Sequence, residues 1–257
     1  MGTAAEFAAQ VRARQPVLGY WLVLDAPPAT ERLARVGYDY VVLDAQHGLL
    51  EYRGVLAGLT AVDAASGAVG LVRVEANEPA AIGHALDAGA AGVIVPLVSS
   101  PAAAEAAVRA SRYPPDGVRS FGPMRSGLRI GPEPAVSNAS VVVLAMIETA
   151  AGLADVAEVA ATPGLDGIYV GPNDLRLALG GRTPDDPELD EAVEGALVRV
   201  REACDAAGIA AGIFTTSGEL AAQRLREGFT FVTVAFDLLH LEQAARDHLG
   251  VARAVLG

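Results

Sequence analysis

The chain has 257 residues, of which 52% are hydrophobic, and its formal net charge is −12 at pH 7. This composition is typical of a globular protein with room for one large domain or two small ones. The acidic balance and the scattered arginines argue against nucleic acid as a partner, because neutralising phosphates requires basic patches.

Lysine is absent from the chain, and all 19 basic residues are arginines. A Schiff-base enzyme, a pyridoxal enzyme and a Walker-type phosphate loop each need a lysine ammonium at a fixed place. All three are therefore excluded in their usual form. The single cysteine, Cys204, lies in a helical pattern and is expected to be buried and inert.

No apolar run approaches the ~20 residues that a membrane span needs, and the amino-terminal stretch lacks the apolar core of a signal peptide. One cysteine also allows no intrachain disulfide, which suits a reducing compartment. We therefore expect a cytoplasmic protein without a membrane partner.

Eight short apolar runs recur along the chain, and each is followed by polar or Gly/Pro residues and an Ala-rich helical pattern. Their near-continuous hydrophobicity predicts strands covered on both faces, as in a parallel sheet. The predicted strands are 17–24, 38–44, 70–75, 92–98, 141–148, 167–172, 210–215 and 231–237. This alternation predicts an α/β fold, the (β/α)8 TIM barrel. A doubly wound sheet is the alternative, but it usually has fewer strands, and no GxGxxG motif follows the first strand.

The longest stretch without a helical pattern runs from Tyr113 to Ser140, between the fourth and fifth predicted strands. Loops of that length are usually functional or disordered. Because no linker, low-complexity segment or fixed-period repeat interrupts the alternation, we expect residues 1–257 to form a single domain.

Polar side chains follow or end four of the predicted strands, at positions that would share one rim of a barrel. They are Asp44, Gln46 and His47 at the second strand, Arg73 in the third, Glu148 at the fifth, and Asn173 and Asp174 after the sixth. In a (β/α)8 barrel, groups at the carboxyl ends of the strands meet the substrate. This rim is therefore the candidate active site.

Each carboxylate also has a structural explanation. Asp44, Glu148 and Asp174 could each cap or begin the following helix, where the helix dipole favours an acidic side chain. Arg73 is harder to explain in this way, because a buried guanidinium needs an anionic partner. That partner would be a structural acid such as Glu75 or a bound carboxylate.

The rim residues also form a consistent set of chemical groups. Glu148 and Asp174 could hold one divalent cation, and hard oxygen ligands suit Mg²⁺ or Mn²⁺ better than Zn²⁺. Arg73 beside that cation would bind a substrate carboxylate, and His47 oriented by Asp44 could move a proton. Such a site could form and stabilise the enolate of a 2-oxo acid.

Six motifs carry a resemblance to a known family: GYDYVVLDAQHG, VRVE, AGVIVPLV, YPPDGVRS, VLAMIET and DGIYVGPNDLRLALG. With these motifs the chain, from about Val17 to His248, resembles the metal-dependent (class II) pyruvate aldolases of the HpcH/HpaI type. These are 4-hydroxy-2-oxo-acid aldolases of the phosphoenolpyruvate/pyruvate-domain superfamily. The resemblance implies a (β/α)8 barrel whose last helix is swapped between subunits, in homo-oligomers that are commonly hexamers built as trimers of dimers.

The resemblance implies retro-aldol cleavage of 4-hydroxy-2-oxo acids to pyruvate and an aldehyde through an enolate stabilised by a divalent cation. Glu148 and Asp174 would be the metal ligands, for Mg²⁺ or Mn²⁺, with Co²⁺ as a further candidate. Arg73 would contact pyruvate and stabilise its enolate, and His47, with Asp44 as its partner, would be the base acting through water. The absence of lysine independently leaves only this metal route, because the other class of aldolase forms a lysine imine.

Substrate contacts are also implied for Gly171 and Pro172, whose backbone would approach the substrate carboxylate, and for Gln46. Gln46 departs from the family pattern, which commonly has an acid there, and Asn173 stands where Ala is common. The segment 119–131 has its own Arg and Gly pattern, and aldehyde specificity could lie there, with residues of a neighbouring subunit.

Two other functions are compatible with the same rim. One is an acyl-CoA lyase related to citrate lyase β subunits and malyl-CoA lyases, and the other is a non-catalytic protein that binds 2-oxo acids. The helical histidines His84, His240 and His248 are not expected to be catalytic, and Trp21 is expected to serve packing.

Overall fold

The computed structural model describes residues 3–256, in which eight parallel strands close into a barrel surrounded by helices. Each strand pairs with the next along the chain, and β1 pairs with β8 to complete the ring. The strands are β1 (Val17–Leu22), β2 (Tyr40–Asp44), β3 (Val69–Arg73), β4 (Gly92–Val95), β5 (Val142–Ile147), β6 (Gly167–Val170), β7 (Ala210–Phe214) and β8 (Phe231–Phe236). The predicted (β/α)8 barrel is confirmed, and the doubly wound alternative is wrong.

The helices pack outside the barrel, except for the first, which lies under it. They are α1 (Ala4–Arg12), α2 (Pro27–Leu33), α3 (Tyr52–Ala65), α4 (Pro79–Asp87), α5 (Pro101–Ser111), α6 (Ser126–Arg129), α7 (Pro134–Ser140), α8 (Ala150–Ala154), α9 (Val156–Ala160), α10 (Pro172–Ala178), α11 (Asp190–Ala207), α12 (Gly218–Glu227) and α13 (Asp237–Arg253). A 3₁₀ turn covers Pro187–Leu189.

Every predicted strand is present, but most end one to three residues earlier than predicted. The fourth shows the cause: β4 ends at Val95 because Pro96 has no N–H to donate to a neighbouring strand. The apolar residues beyond the strand ends turn into the loops of the rim. The sequence pattern therefore extends past the sheet into the candidate active site.

The interior of the barrel is aromatic and closed at its amino-terminal end. Tyr40 and Phe231 stack with ring centroids 4.2 Å apart, and Phe7 of α1 lies 6.0 Å from the Tyr40 ring. Gly19 makes room for Tyr40, since a Cβ there would lie 2.0 Å from the tyrosine ring. These aromatic side chains fill the lower end of the barrel.

The segment 113–140 differs from its prediction in two ways. It contains the two short helices α6 and α7, and it follows α5, so it returns the chain to the amino-terminal end of β5. Salt bridges from Arg119 to Asp87 (2.6 Å) and from Arg125 to Asp63 attach it to the lower ends of α4 and α3. Within one chain it therefore lies at the opposite end of the barrel from the rim, and it cannot line that chain's own site.

The last helix, α13, begins directly after β8 and has no buried residue among those described. Leu241, Leu249 and Val251 are 60%, 49% and 75% exposed along it. A search of the described residues finds no helix that is both long and apolar enough to cross a membrane.

Candidate active site

A cavity of about 260 Å³ opens at the carboxyl ends of the strands. Its charged residues come from the strands β2 and β3, the loop after β2 and the start of α10 after β6, and most of its apolar wall comes from β1, β7 and β8. The polar lining residues are Asp44, His47, Arg73, Asn173, Asp174 and Thr216, and the apolar ones include Trp21, Val23, Phe214 and Phe236. The predicted rim residues Gly171 and Pro172 also line it.

Asp44 and Arg73 form a buried ion pair at the floor of this cavity. Both are at most 7% exposed, and neighbouring strands place them opposite each other, in register. The Nε and Nη2 atoms of Arg73 donate to the two oxygens of Asp44 at 2.9 and 2.5 Å. This bidentate pairing identifies the anionic partner of Arg73 as Asp44, while Glu75 is exposed.

Asp44 also accepts the backbone N–H groups of Gln46 and His47, at 3.0 and 3.2 Å, and the indole N–H of Trp21 at 3.1 Å. Burial opposes ionisation of the carboxyl, but the hydrogen bonds and charge of Arg73, helped by the other donors, hold the pKa of Asp44 below its usual value. Asp44 is therefore a carboxylate that orients two elements at once, the Arg73 side chain and the loop that carries His47.

The contact between Asp44 and His47 differs from the expected dyad. Among the hydrogen bonds of the described residues, Asp44 contacts the backbone N–H of His47, and the imidazole has no bond to the carboxylate. The guanidinium of Arg73 takes both oxygens of Asp44 instead. His47 is exposed and lines the cavity, so its ring can reach a substrate or a water molecule.

Glu148 follows β5 and is 3% exposed. Its Oε1 accepts the backbone N–H of Leu97 at 2.8 Å, and Leu97 turns the loop after β4 with a φ of 56°, an uncommon value for leucine. Burial, with the charge of Asp174, raises the pKa of Glu148 to about 7, despite the opposing effects of the Leu97 N–H and Arg73. Glu148 does not cap the next helix, because Thr149 occupies the N-cap of α8.

The junction between β6 and α10 brings the second carboxylate to Glu148. Asp174 lies in the first turn of α10, which begins at Pro172. A Cβ on Gly171 would lie 2.7 Å from the Oε2 atom of Glu148, so only glycine allows this approach of backbone to carboxylate. Asp174 is thus an acid at the start of a helix, which is the structural role considered for it above. It also lines the cavity.

These residues fit a divalent cation with few protein ligands. The Glu148 carboxyl is buried beside the Asp174 carboxylate, and its pKa is raised. A cation bound between the two groups would stabilise their ionised forms. No group of three or more His, Cys, Asp or Glu side chains suited to a metal occurs in residues 3–256. Two carboxylates without His or Cys suit a hard cation such as Mg²⁺, whose remaining positions are taken by water and substrate oxygens.

Trp21, Phe214, Thr216, Phe236 and Leu97 are site residues that the sequence reasoning did not find. Four of them line the cavity, and the fifth holds Glu148. Trp21 was expected to serve packing only, yet it also contacts both members of the Asp44–Arg73 pair. For Leu97, Phe214, Thr216 and Phe236 the available signal was their position at or just beyond the end of a predicted strand, whereas Trp21 lies within one.

Gln46 contributes less to the cavity than expected. It is half-buried, it is not among the lining residues, and its side-chain Oε1 is buried without a hydrogen-bond partner among the described residues. Its backbone N–H, in contrast, contacts Asp44.

The other titratable residues singled out in the sequence lie outside the cavity. His84 on α4 packs against Tyr52, and His240 contacts the hydroxyl of Tyr20 at 2.9 Å. The prediction that Cys204 is buried is confirmed, and burial raises the pKa of its thiol to about 12. The thiol is therefore protonated at neutral pH.

The fold and cavity together define a (β/α)8-barrel enzyme whose site carries two carboxylates, a buried arginine and a histidine. The family model described as HpcH/HpaI aldolase/citrate lyase matches residues 18–244. The chain belongs to this family, whose members generally depend on a divalent metal.

Several curated relatives of the chain are aldolases. The chain is 44% identical to the hydroxypyruvate/pyruvate aldolase of Rhizorhabdus wittichii, over 94% of this chain and 96% of that protein. It is 35% identical to the 2-dehydro-3,6-dideoxy-6-sulfogluconate aldolase of Pseudomonas putida, over 90% and 91% of the two proteins. The crystal structure of an HpcH/HpaI aldolase/citrate lyase family protein from Burkholderia cenocepacia superposes with a TM-score of 0.89, at 36% identity over 97% of this chain and 99% of that one. The chain is accordingly a carbon–carbon lyase of the aldolase type.

Proposed function

We propose that the enzyme cleaves 4-hydroxy-2-oxo acids to pyruvate and an aldehyde, and catalyses the reverse addition. The observation that carries this proposal is the convergence of Arg73, Glu148 and Asp174 at one end of the barrel, with His47 on the adjacent loop. These are the groups that binding a 2-oxo acid, stabilising an enolate and moving a proton require.

Glu148 and Asp174 would hold the divalent cation, with Mg²⁺ and Mn²⁺ as the favoured ions and Co²⁺ as a further candidate. When bound, the cation supplies a positive charge that polarises the keto group of the substrate. Gly171 and Pro172 form the adjacent wall, where the backbone can approach the substrate carboxylate.

Asp44 occupies only one edge of the Arg73 guanidinium, and the opposite edge is free to contact the substrate. Because Asp44 fixes the Nε and Nη2 side, Nη1 remains for the oxygen on which negative charge develops as the C3–C4 bond breaks. The buried position of Arg73 strengthens this interaction, since solvent does not screen it.

His47 is the proposed base. Its exposed imidazole removes the proton of the 4-hydroxyl group, directly or through one water molecule, so that the C4 carbon leaves as the aldehyde. Protonation of the remaining enolate at C3 then yields pyruvate. Asp44 holds the backbone of His47, which fixes where the ring enters the cavity.

The apolar wall formed by Val23, Phe214 and Phe236 faces this chemistry. It is suited to the carbon chain of the aldehyde, and it excludes water from one side of the cavity. We assign Gln46 an indirect role, through the loop that positions His47.

We further propose that residues 1–257 form one domain and that the protein is a homo-oligomer, a hexamer built as a trimer of dimers. The support is α13, on which Leu238, Leu241, Leu249 and Val251 are exposed in the single chain. An apolar face of that kind is commonly covered by another subunit.

The decisive experiment is a cleavage panel of 4-hydroxy-2-oxo acids, with pyruvate release measured in Mg²⁺, Mn²⁺ and Co²⁺ and after treatment with EDTA. We expect pyruvate release that EDTA abolishes and added metal restores. Full activity after thorough chelation would contradict the metal-dependent mechanism. Cleavage of malyl-CoA but not of the hydroxy-oxo acids would favour the acyl-CoA lyase, and pyruvate binding without turnover would favour the non-catalytic alternative.

A further inference from the structure

Trp21 contacts both the Asp44 carboxylate and the Arg73 guanidinium from the apolar side of the cavity. We propose that Trp21 is a positioning residue, which aligns Arg73 for enolate stabilisation and acts through Asp44. This inference rests on the proposed function.

The first contact is through the edge of the indole. Its Nε1–H donates to the Oδ2 atom of Asp44 at 3.1 Å, which is the oxygen that also accepts the Nη2 group of Arg73. The other oxygen, Oδ1, is held by Arg73 and by two backbone N–H groups. Trp21 therefore supplies the only donor besides Arg73 that fixes Oδ2 among the described residues, and without it the carboxylate could rotate out of its bidentate pairing.

The second contact is through the face of the indole. The central carbon of the Arg73 guanidinium lies 5.0 Å from the Trp21 ring centroid, within the range of a cation–π interaction. The guanidinium is thus held along its edge by Asp44 and on one face by Trp21. Held by these two restraints, Arg73 also lines the cavity.

The indole itself is held rigidly. It is 3% exposed, it stacks on Tyr169 with ring centroids 5.7 Å apart, and the edge of Phe214 meets it at 5.5 Å. Tyr169 is anchored in turn, because its hydroxyl donates to Thr233 at 2.6 Å in the core. The only polar atom of Trp21 is used by Asp44, so this side chain offers no hydrogen bond to a substrate.

The test uses Trp21→Phe, which keeps an aromatic ring but removes the indole N–H. The partial reaction that isolates Arg73 is exchange of the pyruvate methyl protons in D₂O with Mg²⁺ present, followed by NMR, because it forms the enolate without any aldehyde. We expect the rates of exchange and of cleavage to fall together by about tenfold, as for loss of a hydrogen bond to a charged group. The KM for the 4-hydroxy-2-oxo acid should change much less than kcat.

Two controls separate positioning from general disturbance. Phe7→Leu removes aromatic packing at the closed end of the barrel and should leave both rates unchanged. Combining Trp21→Phe with Asp44→Asn should cost little more than Asp44→Asn alone, because residues that act through one contact are not additive.

A second measurement does not depend on the folding of the Trp21 variant. Trp21 is the only tryptophan in the chain, so the protein's indole fluorescence reports this site alone. Asp44→Asn should shift the emission, since it alters the acceptor of the indole N–H. Unchanged emission would contradict the coupling.

Three results would overturn the inference: exchange at the wild-type rate in Trp21→Phe, an effect confined to the KM for the aldehyde in the synthetic direction, or an equal loss in Phe7→Leu. The failure of the proposed function looks different. In that case the wild-type protein itself would show neither exchange nor cleavage, and the inference would fall with it.

Discussion

The Glu148 carboxyl is buried and lies near the Asp174 carboxylate. This arrangement lowers the free energy of unfolding of the metal-free protein when Glu148 is ionised. Its pKa is about 7 in the fold against an ordinary value of 4.5, so ionisation above pH 7 opposes folding. The corresponding stability is present at low pH and is lost as the pH rises through about 7. A shift of this size corresponds to about 3 kcal/mol.

We therefore expect Glu148→Gln to raise the Tm of the metal-free protein at pH 8 by several degrees. The amide oxygen can still accept the Leu97 N–H, and the buried charge is gone. The gain should be smaller at pH 6, where the native carboxyl is largely protonated. Thermal unfolding at both pH values in EDTA measures this, with the exposed Glu202→Gln as the matched control.

Metal binding should invert this effect. Millimolar Mg²⁺ should raise the Tm of the wild-type protein at pH 8, because a ligand that binds only the folded state stabilises it. Glu148→Gln should lose most of that rise. An equal Mg²⁺ response in both proteins would remove Glu148 from the metal site.

His47 is exposed, and among the described residues its hydrogen bond to Asp44 is made by the backbone N–H and not by the imidazole. We expect His47→Ala to lower kcat for cleavage by roughly 10²–10⁴-fold, the usual contribution of a general base, without changing the Tm. His84→Ala on α4 removes a histidine outside the cavity and should keep activity. Wild-type cleavage by His47→Ala would refute the assignment of the base.

At the scale of elements, the junction between β6 and α10 depends on the absence of a side chain at Gly171. A methyl group there would meet the Oε2 atom of Glu148 at 2.7 Å and the Met146 side chain at 2.6 Å. Gly171→Ala should therefore displace Glu148 and lower kcat/KM at subsaturating Mg²⁺ by about 10–100-fold, as for lost support of a metal ligand.

Gly83→Ala provides the matched control for this change. Gly83 lies in α4, and nothing stands within 4 Å of a Cβ built there. The substitution should keep activity and stabilise the protein slightly, because alanine favours the helix. If Gly171→Ala behaved in the same way, the close approach at this junction would have no role in the site.

At the scale of the whole molecule, α13 presents apolar side chains that no other part of the described chain buries. Leu241→Glu places a charge on its exposed apolar face and should dissociate the proposed hexamer, which light scattering after size exclusion would detect. Gln243→Ala on the same helix should leave the assembly intact. A wild-type protein that ran as a monomer would contradict the oligomer proposal.

The sequence allowed the fold to be predicted because eight apolar runs separated by helical patterns have few other solutions. It allowed the rim residues to be found because Asp44, Glu148 and Asp174 each stand where a strand ends or a helix begins. It could not show that Asp44 pairs with Arg73, because that contact depends on the register of β2 and β3. Trp21 was overlooked because an aromatic residue in a buried strand is typical of any core.

The position of the segment 113–140 relative to the rim could not be predicted for a different reason. The sequence pattern places it between two strands, and only the structure shows that α5 carries the chain down the outside of the barrel before this segment begins. Counting helices as well as strands decides at which end of a barrel a loop lies.

The rim of the barrel is divided into two arcs. The charged residues come from β2, β3, β5 and β6, whereas Val23, Phe214 and Phe236 follow or end β1, β7 and β8. Phe214 also packs against Trp21, but substitutions at Val23 and Phe236 can reshape the cavity without touching a carboxylate or the arginine. In the course of evolution, variation at such positions would change which aldehyde the cavity accepts. The groups proposed to break the C3–C4 bond would stay the same.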